Sequence, residues 1–209
     1  MIAAVVPVKA LAASKSRLFP ERPRADIEAL SLAMMGDVIA ALRATSAVGR
    51  IAVVTPDAAV ARVAVDDGAE ALLRPDPGLN SAIEGASAEL AGPSDGVLVL
   101  LGDVAAVDPD DLARLLEEAP IRGVAIAPSR DGGTSALLRR PPDVIPARFG
   151  PESAKRHREA AATAGVACAF LPLPSLAIDV DLAEDARAIL SVPTLGSRTR
   201  ALLERWGPV

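Results

Sequence analysis

Gly96-Val97-Leu98-Val99-Leu100-Leu101, followed at once by Gly102-Asp103, is the stretch on which the fold turns. Its apolar side chains are continuous rather than alternating, so both faces of this strand must be buried. That pattern belongs to the centre of a parallel sheet covered by helices on both sides. Ile2–Val8 and Ile51–Thr55 repeat it, and Ala69–Leu73, Gly123–Ala127, Thr134–Leu138 and Ala167–Leu171 do so more weakly. Helical stretches lie between these runs. In Ala25–Thr45 the residues Ile27, Leu30, Met34, Val38 and Leu42 recur every three or four positions and make one apolar stripe. Asp57 caps another helix that Gly68 ends. Further helices are predicted over Asn80–Ala91, Pro109–Ala119, Pro151–Ala164, Asp181–Leu190 and Ser197–Trp206. Strands alternating with helices predict βαβ units, hence an α/β, Rossmann-like fold with a mostly parallel sheet and helices on both faces. No repeat or linker divides the chain, and Pro141–Pro142 marks only a loop, so residues 1–209 are expected to form a single domain.

Composition narrows the function. The chain is 51% hydrophobic but only 2% aromatic, so Ala, Val and Leu must fill the core. Few aromatics and a net charge of -5 argue against nucleic-acid binding, which needs stacking surfaces and a basic stripe. Lys and Arg are dispersed, with small clusters at Lys9–Arg17 and Lys155–Arg158 of a size suited to a few phosphates. Cys168 is the one cysteine, which fits a reducing compartment. The apolar start, MIAAVVPVKALAASK, lacks the basic region of a signal peptide, and no run approaches the roughly 18 apolar residues of a membrane span. The expected setting is the cytoplasm.

In such sheets ligands sit at the carboxyl ends of the strands. The loop after the first strand reads PVKALAASKSRL over residues 7–18 and carries Lys9, Lys15 and Arg17 between small residues. Small side chains let the backbone approach a ligand, and amides with cations make a triphosphate cradle. The loop is not a Walker A motif, because the Gly-rich run ending in GK[ST] is absent. Asp103 ends the central strand. Asp179 and Asp181 stand two apart in AIDVD and, if extended, project from one face. These three carboxylates are candidate ligands for Mg2+, which takes oxygen donors. Asp181 is also a good helix cap with Glu184 three residues on, whereas Asp108, Asp110 and Asp111 read as ordinary helix-start residues.

Other loops offer polar groups. Asn80, after Gly78-Leu79, is as good a helix cap as a base or ribose ligand. Gly132-Gly133-Thr134-Ser135 is either an anion loop or a turn. Arg148 and Gly150 lead into a helix whose free first-turn amides, with the Ser153 hydroxyl, could bind an anion, or Pro151 simply starts that helix. His157 stands beside Lys155, Arg156 and Arg158 in that helix and is expected at the surface. With one histidine so placed, no Ser-His-Asp set is available. Lys, Arg and Asp suit reactions in which an already ionised phosphate attacks and charge neutralisation supplies the catalysis.

PVKALAASKSRL, PGLNSAIEGA, GDV after a Val/Leu strand, GGTSALL, RFGPESAKRH and LAIDVDLAEDA occur in this order. Together they resemble the guanylyltransferases of coenzyme F-420 biosynthesis over about residues 2–190. The resemblance implies a single-domain nucleotidyltransferase fold that moves GMP from Mg2+-GTP to 2-phospho-L-lactate, phosphoenolpyruvate or 3-phosphoglycerate and releases pyrophosphate. It implies that Lys9 and Lys15 hold the GTP phosphates, with Arg17 and Pro7 beside them. Gly78 and Asn80 would lie near the nucleoside, and Asp103, Asp179 and Asp181 at the metal. Thr134, Gly150 and Ser153 would line the acid's phosphate site, with Arg148 next to it. A homodimer is left open. Two positions depart from the family pattern: Val104-Ala105 replaces Leu-Pro after the metal-site Asp, and Ser135 replaces Asn. Two other readings also stay open. One is a related transferase of the molybdopterin type, whose Gly-rich loop ending in Arg is absent here. The other is a degenerate paralogue that binds nucleotide without turnover.

Overall fold

The computed structural model describes residues 1–13, 22–75, 78–92, 96–178, 180 and 183–207. Among the described residues seven strands form one sheet: β1 (Ile2–Pro7), β2 (Val48–Thr55), β3 (Glu70–Leu73), β4 (Gly96–Leu100), β5 (Gly123–Pro128), β6 (Thr134–Arg140) and β7 (Ala167–Phe170). The helices are α1 (Arg24–Ala44), α2 (Ala58–Asp66), α3 (Leu79–Leu90), α4 (Pro109–Glu117), α5 (Ser153–Thr163), α6 (Ala183–Leu190) and α7 (Ser197–Trp206). The strand order is β3-β2-β1-β4-β6-β5-β7. Every neighbouring pair is parallel except the two that involve β6, which is antiparallel to both β4 and β5. The α/β, mostly parallel architecture read from the sequence is therefore the observed one.

The alternation along β1 shows why both faces need helices. Ala4 and Val6 point into a cluster with Met35, Val38 and Leu42 of α1, Val60 of α2 and Leu112 of α4. Ala3 and Val5 point the other way, to Ile83 and Ala86 of α3 and Ala161 of α5. Leu98 and Leu100 against Val97 and Val99 divide β4 in the same way. Burial of each such Val or Leu contributes about 1.5–3 kcal/mol. A third cluster joins Leu30 and Met34 of α1 to Ala186, Ile189, Leu202 and Leu203 of α6 and α7. Asp37, buried within α1, caps α7 from outside: its carboxylate accepts from the amides of Arg198 at 3.1 Å and Thr199 at 2.8 Å.

Several boundaries differ from the sequence reading, β2 by starting at Val48 instead of Ile51, and two of the differences have a clear physical reason. The strand expected to stop at Leu138 runs on to Arg140. Arg139 is fully buried, and its guanidinium donates to both Glu84 carboxylate oxygens at 3.0 Å, to the Ile145 carbonyl at 3.1 Å and to Ser87 Oγ at 2.7 Å. These bonds offset part of the cost of burying the charge, although Nε has no hydrogen-bond partner among the described residues. The helix expected from Pro151 starts at Ser153, because Glu152 adopts the left-handed conformation (φ 55°) and turns the chain first. Among the described residues no helix is long and apolar enough to cross a membrane.

Between β1 and β4 the direction of strand addition reverses, because β2 and β3 extend the sheet one way and β4 begins the other half. Adjacent loops separate at such a point and leave a crevice at the carboxyl ends of the strands.

Candidate active site

Two cavities open at this crevice. The larger, about 480 Å³, reaches from Lys9 and Asp103 across to Thr134, Gly150 and Ser153. The smaller, about 250 Å³, lies over β2 and β3 and includes Thr55, Arg74 and Gly78. They share Pro7, Val8, Lys9 and Leu79, so Lys9 stands at their junction.

The wall at β1 is fixed by backbone. The Val8 amide donates to the Val54 carbonyl at 3.0 Å, which carries the strand's register past Pro7, and a short 3-10 turn follows at Leu11–Ala13. Asp57 holds that turn. One carboxylate oxygen caps α2 by accepting from the amides of Ala59 at 2.8 Å and Val60 at 3.4 Å, and the other accepts from the Leu11 amide at 2.9 Å. The Leu11 amide is the largest cause that keeps the Asp57 carboxyl below its usual range. The capping role expected of Asp57 is present, and the tie to the loop of Lys9 adds to it.

The wall at β4 is set by two pairings. The Leu101 amide donates to the Ser135 carbonyl at 3.0 Å and the Val104 amide to the Leu101 carbonyl at 3.4 Å, a turn that presents half-buried Asp103 to the larger cavity. On the far side, Asp131 shapes the β5–β6 turn. Its carboxylate accepts from the Ser129 hydroxyl and from the Gly133 amide, and the Ser129 bond above all holds its carboxyl below the ordinary range. A side chain at residue 133 would collide with this clasp, since a Cβ there would stand 2.5 Å from Ser129 Oγ.

Behind the far wall lies a buried polar chain. The Arg148 amide donates to His157 Nε2 at 2.9 Å, His157 Nδ1 lies 3.1 Å from Thr134 Oγ1, and Ser153 Oγ lies 3.1 Å from the same oxygen. The Phe149 ring packs edge-on against the imidazole at 5.0 Å. Burial, then the charges of Arg139, Arg156 and Arg148, push the imidazole pKa down to about 4. His157 is thus fully buried, and the expectation of a surface histidine is corrected. It lies on the inner stripe of α5 with Ser153, Ala154, Ala160 and Ala161, and that helical spacing is the sequence signal that would have found it.

Of the sequence-predicted residues, Pro7, Lys9, Asp103, Thr134, Gly150 and Ser153 converge on the larger cavity, and Gly78 joins Pro7 and Lys9 at the smaller. Asn80 lines neither. Its side-chain amide donates to the Phe149 carbonyl at 3.1 Å and accepts from the Phe149 amide at 2.7 Å, so it ties the 147–150 segment to α3 and does not cap the helix end. Arg148 is exposed and lies outside both linings, so its contribution here is its backbone amide. The free first-turn amides expected on α5 are also corrected: those of Ser153 and Ala154 donate to the carbonyls of Gly150 and Gly132. Lys15, Arg17, Asp179 and Asp181 lie outside the described residues. Among the described residues no three His, Cys, Asp or Glu side chains converge as a metal cluster. Asp131 and Ser129 were not anticipated, although an Asp before Gly-Gly is a turn signal.

This geometry is that of a nucleotidyltransferase fold. A solved structure of a nucleotide-diphospho-sugar transferase from Desulfovibrio desulfuricans G20 superposes with a TM-score of 0.80 at 19% identity, covering 98% of this chain and 94% of that one. Rv0371c from Mycobacterium tuberculosis H37Rv, solved with manganese, gives 0.57 at 18% identity over 90% and 97%. Closer in sequence is the phosphoenolpyruvate guanylyltransferase of Sphaerobacter thermophilus, 35% identical over 93% of this chain and 95% of its own. The 3-phospho-D-glycerate guanylyltransferase of Colwellia psychrerythraea is 32% identical over 90% and 92%. The family model described as guanylyl transferase CofC like matches residues 2–205. With the fold, the near-full-length relatives and the family model in agreement, the chain belongs to the CofC-like guanylyl transferase family.

Proposed function

We propose that the chain, acting as one domain over residues 1–209, transfers GMP from GTP to the phosphate of a small phosphorylated acid and releases pyrophosphate, in coenzyme F-420 biosynthesis. The observation that carries this reading is the pair of cavities sharing Lys9. Two compartments with a cation between them suit a reaction that joins two anionic substrates. The nucleoside takes the smaller cavity by Gly78, the triphosphate crosses Lys9, and the acid occupies the larger cavity between Asp103 and the Thr134–Ser153 hydroxyls. Lys9, with Lys15 and Arg17 from the same loop, neutralises the β- and γ-phosphates. An oxygen of the acceptor phosphate attacks the α-phosphorus, and the bond to the β-phosphate bridging oxygen breaks. The nucleophile is ionised near neutral pH, so no general base is required, in keeping with a neutral His157 outside the cavity lining.

The donors also suit a divalent cation. Asp103 brings hard carboxylate oxygen to the cavity wall, and Asp179 and Asp181 would complete an oxygen set of the kind Mg2+ prefers. Such an ion, when bound, draws the phosphate oxygens together and offsets their charge. The manganese in the M. tuberculosis fold neighbour supports divalent-metal use. Phosphoenolpyruvate is the first acceptor to assay, then 3-phosphoglycerate, after the named relatives. A molybdopterin-type transferase and an inactive paralogue are not favoured, since the near-full-length relatives are named as guanylyltransferases of phosphorylated acids. The small-molecule substrates and the lone Cys168 fit a cytoplasmic enzyme.

The test is product mass spectrometry with GTP, MgCl2 and each of the three acids, alongside Asp103→Asn. Wild-type protein should release pyrophosphate with at least one acid. The variant should lose about 100-fold or more of kcat, as when a charge-stabilising group is removed from a transition state, with an unchanged circular dichroism spectrum and thermal midpoint. No product with any acid refutes the transfer reaction, and a near-normal rate in Asp103→Asn removes that carboxylate from it.

A further inference from the structure

We propose that His157 is a positioning residue that sets the hydrogen-bond polarity of the acid-binding wall, so that the Thr134–Ser153 pair presents a donor to an oxyanion in the larger cavity. The inference rests on the reading that this cavity takes the phosphorylated acid. A backbone amide can only donate, so the 2.9 Å contact from Arg148 makes His157 Nε2 an acceptor. The neutral ring then carries its one proton on Nδ1. Nδ1–H must donate to Thr134 Oγ1, 3.1 Å away.

The consequence falls on the two hydroxyls. Thr134 and Ser153 are both almost fully buried, both line the cavity, and their oxygens are 3.1 Å apart. Together they own two protons, and one proton makes the bond between them. Because the imidazole donates, neither hydroxyl can place its remaining proton there. With Ser153 donating to Thr134, as the geometry has it, both lone pairs of Thr134 Oγ1 are occupied and its proton turns to the cavity. If the pair were reversed, the proton of Ser153 would turn there instead. Either way the wall shows an O–H donor, which a phosphate or carboxylate accepts. The other imidazole tautomer would invert this, since Nδ1 would take a hydroxyl proton and the wall would present lone pairs to an anion. The positive field of Arg139, Arg156 and Arg148, the same charges that disfavour a protonated ring, adds to the preference for an anion at this wall. His157 does not line the cavity and acts only through Thr134.

Two conservative variants separate this role from packing. In His157→Gln the side-chain carbonyl can reach the Arg148 amide, but nothing donates at the Nδ1 position. In His157→Asn the amide NH2 stands near the Nδ1 position and donates to Thr134, while the Arg148 contact is lost. Steady-state kinetics with GTP and phosphoenolpyruvate should give His157→Gln an acid KM raised about 10-fold or more, the usual effect of losing a hydrogen bond to a charged group, with the KM for GTP within about 2-fold. His157→Asn should stay closer to wild type. A merely structural role predicts the reverse order, because Asn leaves the larger void. His157 is the single histidine of the chain, so a tag-free sample gives one unambiguous imidazole signal in 1H–15N spectra. That signal should show Nδ1 protonated and shift when inorganic phosphate is added. An Nε2-protonated ring, or an unchanged acid KM in His157→Gln, overturns the proposal. Wild-type protein that turns over none of the three acids refutes the functional reading instead. The imidazole tautomer and its response to phosphate then still decide whether this wall meets an oxyanion.

Discussion

Lowering the pH from about 7 to about 5 is expected to weaken the fold by about 2 kcal/mol through one side chain. His157 titrates at about 4 in the folded protein against an ordinary 6.5, a displacement of about 2.5 pH units. At about 1.36 kcal/mol per unit the full effect is about 3 kcal/mol. Its sign follows from which state binds protons. Between about pH 6.5 and about pH 4 the unfolded chain protonates its histidine while the buried ring stays neutral, so acid favours unfolding. The contribution is fully present above the unfolded value and is lost as the pH falls toward the folded one. Linkage gives somewhat more than half of the full effect by about pH 5. Carboxylates titrate in the same range, so the measurement must be a difference: urea unfolding of wild type and of His157→Gln at both pH values. Whatever the substitution costs at neutral pH, the stability advantage of wild type over the variant should shrink by about 2 kcal/mol at the lower pH. A constant difference, or an imidazole that titrates near 6.5 in the folded protein, would refute the buried, neutral ring on which the proposed acid-binding wall depends.

Two further outcomes test the scaffold around the site. Arg139→Met keeps the bulk but removes the donors to Glu84, Ser87 and the Ile145 carbonyl, and it should cost about 3 kcal/mol in urea unfolding. Asp57→Ala should cost about 1–2 kcal/mol through the α2 cap. By releasing Leu11 it should also raise the KM for GTP several-fold more than that for the acid, read from initial rates.

The residues that were legible share a feature: a local pattern reports their position. The continuous apolar run of β4 reports a strand buried on both faces, and Asp103, one residue beyond Gly102, must then stand at a strand tip. Lys9 follows from β1 in the same way. The residues misread were those whose partners lie far along the chain. Nothing near His157 in sequence shows that the Arg148 amide and Thr134 will take up both its nitrogens. Three adjacent basic residues suggested a wet surface, yet α5 has a narrow inner stripe of small residues, and His157 falls on it. Asn80 was ambiguous because its local context suits a cap, whereas its actual partner, Phe149, is 69 residues away. The predicted strand stopped at Leu138, one residue before Arg139, whose burial rests on partners not adjacent in sequence: Glu84 and Ser87 on α3 and the Ile145 carbonyl.

The two departures from the family pattern bear on whether the site is intact, and packing answers differently for each. Val104 sits in the core cluster on the α1 side of the sheet, and Ala105 and Ala106 sit in the cluster shared with α6 and α7. Their backbone is also held, since the Ala105 carbonyl accepts from the Gly196 amide at 2.9 Å and the Ala106 carbonyl from Thr194 Oγ1 at 2.7 Å. A Leu-Pro pair stiffens such a turn by restricting its backbone. Here the C-terminal helices supply the restraint from outside, so the turn that presents Asp103 stays fixed without proline. Ser135 is different. It is fully buried, its carbonyl secures Leu101 beside Asp103, and its hydroxyl has no hydrogen-bond partner among the described residues. A buried hydroxyl without a partner costs roughly 1–3 kcal/mol relative to an apolar side chain. Ser135 does not line the larger cavity, so under the proposed function the polar contacts to the acid at this wall are left to Thr134 and Ser153, and the imidazole proposed to orient them matters the more.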